Sequence, residues 1–167
     1  MSEIIQQQDS RRIFIETLIE LAEKDDKIVL ILCDTGFNYV EEFQKRFPDR
    51  YFNFGVTEQS SAIIASALAL SGFKPYFYSM IPFVLFRPYE MIRNAIVKHN
   101  ANVKILGVKG SEKYKMLGFS HNLSHEKEDT NLCENIGLKW YTPKTNEEVK
   151  KAILESYQEK ASSYTRL

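Results

Sequence analysis

The run IVLILC at residues 28–33, followed by Asp34-Thr35-Gly36, is apolar without a break and is bounded by charged residues on both sides. It has no polar face to turn to water, so it reads as a strand buried on both faces. Working outward, Ser10 is placed to cap a helix carrying Ile13, Leu18, Ile19 and Leu21, which Asp25-Asp26 closes. Downstream come a short helix near 39–46, a strand in RYFNFG, and a helix of small and aliphatic residues from Thr57 to Ser71 that Gly72 ends. KPYFYS reads as a third strand. The segment from about Phe83 to His99 reads as a helix in which Pro88 delays the start or makes a kink. VKILGV (103–108) is a fourth strand, and residues 109–129 fit no regular pattern. A short helix near 130–136, a strand in LKWYT, a helix from Asn146 to Lys160 and a last strand in YTRL follow. Strands thus alternate with helices. That order predicts an α/β fold, a mostly parallel sheet with helices on both faces, in one domain at 11–167 behind a polar tail at 1–10.

Lys plus Arg and Asp plus Glu each number 22, so the net charge is zero and nothing favours a nucleic-acid partner or an anionic membrane surface. Basic residues are scattered, most densely between Lys109 and Lys115. Cys33 and Cys133 are the only cysteines, which argues for a reducing compartment, the cytoplasm, rather than a disulfide scaffold. The polar N-terminus MSEIIQQQDSRR has no apolar signal core, and no apolar stretch is long enough to span a bilayer.

Ligands of parallel sheets bind beyond the carboxyl ends of the strands. The loops at 34–38, 55–58, 79–83 and 109–129 are therefore where chemistry is expected. Glu58 follows a strand directly and opens a helix, where the dipole and free N–H groups favour a carboxylate. The same position also suits a plain helix-capping acid. Met80 to Phe86 is a large apolar group in which Phe83 and Phe86, three apart, can share a face. It reads either as core or as a pocket for a flat ring. Asp34 is a ligand contact or an Asx turn into Gly36. His121 and His125 have no third ligand nearby in sequence, so no metal site is expected. Phosphate-loop, dinucleotide and nucleophile-elbow motifs are absent.

Taken together, KIVLILCDTG, FPDRYFNFGVTEQ, SALALSGFKPYFYS, RPYEMIRNAI, NVKILGV, GFSH and YTRL resemble the pyrimidine-binding domain of the transketolase family, from about Arg11 to Leu167. FNFGVTEQ is similar to the family's Asn-x-Gly-[IV]-x-Glu-[QH] signature and places the family's essential glutamate at Glu58. The resemblance implies thiamine diphosphate as cofactor. The glutamate hydrogen-bonds ring nitrogen N1′ of the aminopyrimidine and favours the 4′-imino tautomer that deprotonates thiazolium C2. A two-carbon ketol unit then passes between sugars or sugar phosphates. It implies a ring-binding group of Glu58, Met80, Phe83, Phe86 and Asp34, with His121 and Lys109 towards the substrate.

Two departures from the family pattern stand out. Met80 or Ile81 replaces the first aromatic of the cluster, and Lys109 and Leu117 stand where the family carries a histidine and an aspartate. The Gly-Asp-Gly…Asn motif that holds magnesium and the diphosphate is absent. A partner diphosphate-binding transketolase subunit or domain is therefore expected, in a homodimer or hetero-oligomer. The chain is then either a short subunit or a piece of a longer one. Two alternatives stay open. One is a component of another thiamine diphosphate enzyme, such as a deoxyxylulose phosphate synthase or the beta chain of a 2-oxo acid dehydrogenase. The other is a non-catalytic interaction module, which the altered loop favours and the retained Glu58 opposes.

Overall fold

The fold was analysed in a computed structural model that describes residues 2–110 and 112–167, with side chains from Ser10 onward apart from those of 111–113. In chain order the elements are α1 (Ser2–Ala22), β1 (Ile28–Leu32), α2 (Glu41–Arg46), β2 (Tyr51–Asn53), α3 (Glu58–Leu70) and β3 (Lys74–Met80). A π-helical turn (Pro82–Phe86), α4 (Tyr89–Met91) and a second π-helical stretch (Ile92–Val97) lead to β4 (Lys104–Val108). A 3₁₀ segment (Glu112–Ser120), α5 (Glu128–Ile136), β5 (Lys139–Tyr141), α6 (Asn146–Gln158) and β6 (Ser163–Arg166) complete the chain.

The six strands form one sheet in the order β2-β1-β3-β4-β6-β5, with every neighbouring pair parallel. The alternation of side chains along each strand divides the core in two. Ile28, Leu30 and Leu32 of β1, with Tyr76 and Tyr78 of β3, pack against Phe14 and Leu18 of α1, Phe43 of α2 and Ile153 of α6. Ile31 and Cys33, with Phe77 and Ile105, pack on the opposite face against Ala62 and Ala65 of α3, Ile92 and Ile96, and Cys133 of α5. All five residues of β1 are buried, as an unbroken apolar run requires when helices cover both faces.

Three local features correct or refine the sequence reading. α1 starts at Ser2, so Ser10 is a buried residue inside the helix rather than its cap. The sequence before it is rich in Gln and Glu, residue types of good helix propensity, which lets the helix run on. The helix expected from Phe83 to His99 is broken at Pro88 (φ −94°, ψ 24°), as its ring demands. On either side of that break the turns widen, with Arg87 N–H donating to the Pro82 carbonyl and Lys98 N–H to that of Arg93. Much of the 109–129 segment takes 3₁₀ form, with Gly118 at φ 70° separating two turns.

Candidate functional site

The chain runs from β1 to β2 on one side of β1 and then crosses to β3 on the other. The crevice where strand order reverses therefore lies beyond the carboxyl ends of β1 and β3. Asn53 ties the loops there together. Its Oδ1 accepts from the backbone N–H of Asp34 (3.0 Å) and of Gly55 (3.1 Å). Asp34 has a left-handed backbone (φ 48°), which an aspartate tolerates better than most residues. Gly36, at φ 88°, is held close: a Cβ there would lie 2.9 Å from Val40 and 3.1 Å from the Tyr78 ring. Only glycine meets both demands.

Glu58 opens α3 at this crevice and is 2% exposed. Small residues let the helix settle deeply. Ala62, Ala65 and Ser66 are buried, and Ser66 Oγ donates to the Ala95 carbonyl at 2.6 Å. Glu58 Oε1 accepts from Arg87 Nη1 at 2.7 Å, whereas Oε2 is buried with no hydrogen-bond partner. The Arg87 guanidinium carbon lies 4.2 Å from the Phe83 ring centroid. Phe83 in turn meets the His121 ring edge-on, with centroids 4.8 Å apart and an interplanar angle of 82°. Glu58, Arg87, Phe83 and His121 thus form one continuous cluster drawn from three loops. Behind Glu58, Cys33 Sγ donates to Ser61 Oγ at 3.2 Å, and Ser61 Oγ lies 3.3 Å from Thr57 Oγ1. Burial first, and the nearby Glu58 charge in addition, push the Cys33 thiol up, so Cys33 remains an unreactive thiol.

The other residues singled out from sequence are dispersed around this cluster. Met80 closes β3 and is largely buried beside it. Phe86 does not share a face with Phe83. In the wide π-turn it is Arg87, four residues on, that covers the Phe83 ring. Phe86 instead lines a shallow groove with Tyr89, His125 and Glu128. Lys109 leaves β4 and binds Glu126, whose carboxylate also meets Arg166, and Arg166 is bonded to the buried Asp129. Lys109, Glu126 and Arg166 line a cleft of about 1040 Å³, together with Trp140, Lys144 and Asn146. Neither cleft is lined by Glu58, Phe83 or Arg87. Among the described residues, no three His, Cys, Asp or Glu side chains are grouped as metal ligands. Arg87 and Asp129 are the polar residues that sequence reasoning passed over. The signal for Arg87 was its place as the lone charge four residues after Phe83, but only with an i,i+4 helical spacing in mind does it point to that ring.

A doubly wound parallel domain with a buried carboxylate at its switch point belongs to the class of open sheets that bind ligands in the crevice beyond their strand ends. The sequence pattern described as "Transketolase, pyrimidine binding domain" matches residues 6–167, and the chain belongs to this family. It is 34% identical over 117 residues to one of the subunits of the apulose-4-phosphate transketolase of Phocaeicola vulgatus, covering 70% of this chain and 38% of that protein. It is 34% identical over 124 residues to a putative transketolase C-terminal section of Methanocaldococcus jannaschii, covering 74% of this chain and 36% of that one. A 1-deoxy-D-xylulose-5-phosphate synthase of Desulfitobacterium hafniense is 31% identical over 152 residues, covering 88% of this chain and 23% of that enzyme. Among solved structures, a split-gene transketolase described as an inactive beta4 tetramer superposes with a TM-score of 0.82 at 27% identity, over 95% of this chain and 50% of that one. The chain therefore spans well under two thirds of the relatives it matches. Transketolases and 1-deoxy-D-xylulose-5-phosphate synthases use thiamine diphosphate, so the family implies that cofactor.

Proposed function

We propose that this chain supplies the aminopyrimidine half of a thiamine diphosphate site in a transketolase-type enzyme that moves a two-carbon ketol unit between sugars. The observation that carries the reading is Glu58 Oε2, buried at the switch point without a partner. A carboxylate oxygen stripped of water and left unbonded is costly. A ring nitrogen that shares a proton with it removes that cost, and the flat ring finds an aromatic surface in Phe83. The residues present thus fit the pyrimidine end of the cofactor. When bound, the cofactor supplies the thiazolium carbon that attacks a ketose carbonyl.

Glu58 holds the proton at ring nitrogen N1′, and its burial strengthens that hydrogen bond because the surroundings are poorly polarisable. Phe83 and Met80 give the ring its apolar walls, and Asp34 borders the entrance. His121, edge-on to Phe83, contacts the sugar. Lys109 anchors, through Glu126, the loop that carries His121. The diphosphate and its magnesium fall to a partner subunit or domain, as the naming of the relatives as subunits or sections suggests. The two free, buried cysteines suit a reducing cytoplasm. Synthase relatives share the cofactor, so the role of Glu58 is the same whichever acceptor the enzyme uses.

The test is Glu58→Gln in the enzyme assembled with its diphosphate-binding partner. Loss of the carboxylate is expected to slow hydrogen–deuterium exchange at cofactor C2, followed by NMR, by about 10²–10⁴-fold. An unchanged rate returns Glu58 to the role of a helix-capping acid.

A further inference from the structure

We infer that Arg87 is a built-in occupant of the pyrimidine position, and that its guanidinium must leave before a cofactor ring can enter; this rests on the reading of Glu58 and Phe83 given above. The guanidinium is planar and lies over the Phe83 ring, 4.2 Å from its centroid, while Nη1 donates to Glu58 Oε1 at 2.7 Å. A flat aminopyrimidine needs the same two contacts, an aromatic face beneath it and the Glu58 carboxylate at its edge. The His121 ring also meets Phe83, at an interplanar angle of 82°. Two planar groups cannot stack in one place, so ring and guanidinium exclude each other. Arginine suits the role because its fork bonds a carboxylate while its plane stacks; lysine has the charge but not the plane.

The rest of Arg87 is built so that only the side chain moves. Its N–H donates to the Pro82 carbonyl at 3.1 Å, and its carbonyl accepts from Gln59 Nε2 at 3.2 Å. The main chain is thus pinned to the π-turn and to α3. The Arg87 side chain is 39% exposed against 2% for Glu58, so the guanidinium has an outward path to water that the carboxylate lacks. The pair is exposed at the guanidinium end alone, so the guanidinium can leave when a ligand takes over its hydrogen bond to the carboxylate, whereas the buried carboxylate stays where it is. An apparent affinity falls by the fraction of molecules that are competent to bind. If the guanidinium is seated in roughly 90% of molecules, it weakens ring binding about tenfold.

The test uses the full chain with thiamine, which lacks the diphosphate, as the probe. Binding is followed by NMR on the pyrimidine protons of thiamine and on the backbone amides of Glu58 and Phe83. Arg87→Ala is expected to bind thiamine about tenfold more tightly than the wild type, and adding Glu58→Gln to it removes the gain. Arg87→Lys falls between, and it carries the comparison if the amide spectrum shows that Arg87→Ala does not fold. In the wild type, the Arg87 Nε–H signal loses its ring-current shift as thiamine saturates. Equal or weaker binding by the variants, with thiamine still contacting Glu58 and Phe83, overturns the inference. It makes Arg87 a residue that positions Oε1 while the ring takes Oε2, and leaves the reading of Glu58 intact. If thiamine shifts neither Glu58 nor Phe83 in any variant, the pyrimidine reading fails and this inference falls with it.

Discussion

Two buried charges at opposite ends of the sheet are treated in different ways. Glu58, beyond the carboxyl end of β2, keeps one oxygen unpaired. Lys104, at the amino end of β4, donates to the carbonyls of Ala161 (2.6 Å) and Glu159 (3.2 Å) and is 3% exposed. Carbonyl oxygens solvate an ammonium only in part, and burial pulls the Lys104 amine down to about 8. In the unfolded chain it titrates near ~10.4. Between those values the unfolded state holds a proton that the folded state has released, so stability rises with pH there. Relative to Lys104→Met, the wild type is expected to gain about 1–3 kcal/mol from pH ~8 to ~10, at up to about 1.4 kcal/mol per unit. Urea unfolding of both proteins across that range gives the difference directly. Working with the difference cancels the opposing contribution of the buried Cys133 thiol, which burial pushes up to about 12. A difference that stays flat with pH removes Lys104 as the cause.

At the scale of elements, the packing of β4, β6 and α5 leaves little room. Asp129, fully buried in the first turn of α5, accepts from Tyr164 Oη (2.6 Å), Arg166 Nε (2.9 Å) and Arg166 Nη2 (2.6 Å). These bonds lock α5 onto β6 and set the Tyr164 ring against β4. A Cβ on Gly107 would lie 2.7 Å from that ring and 2.9 Å from Ile81. Tyr164 is held at its hydroxyl and fully buried, so it cannot turn aside. Gly107→Ala is expected to cost about 1–3 kcal/mol by overpacking, read as a lower urea midpoint with an unchanged slope. A loss below about 0.5 kcal/mol would show that the ring yields.

For the molecule as a whole, α3 presents a second face. Its inner side is buried, but Ile63, Ile64 and Leu70 on the outer side are 49%, 36% and 60% exposed, and Val56 just before the helix is 67% exposed. Apolar side chains recurring along one helix face suit a second apolar surface. Most soluble homo-oligomers are two-fold dimers, so the free chain is expected to pair through α3. Light scattering should give twice the chain mass, and Ile63→Asp should reduce it to the monomer value. A wild-type monomer at high concentration would instead assign this face to the diphosphate-binding partner.

Much of the fold was legible because it rests on patterns local in sequence. The unbroken apolar run at 28–33 could be satisfied only by helices on both faces, and strand–helix alternation then made the sheet parallel. The position of Glu58, directly after a short strand and at the head of a helix of small residues, marked it before any tertiary contact was known. The 109–129 segment was not legible, since its 3₁₀ turns follow no apolar period and are held by distant partners such as Arg11, whose Nη1 lies 3.5 Å from Tyr114 Oη.

Periodicity and motif thus determined the class of fold, its family resemblance and the glutamate at its centre. Tertiary structure alone decided which oxygen of Glu58 is paired and which is left bare. It brought Arg87 over Phe83 and turned Phe86 away, because a π-turn displaces every residue after it from its α-helical direction. It also paired Lys109 with Glu126. Contacts between loops depend on where separate strands end in space, and that is set by sheet order and register, which no single segment encodes.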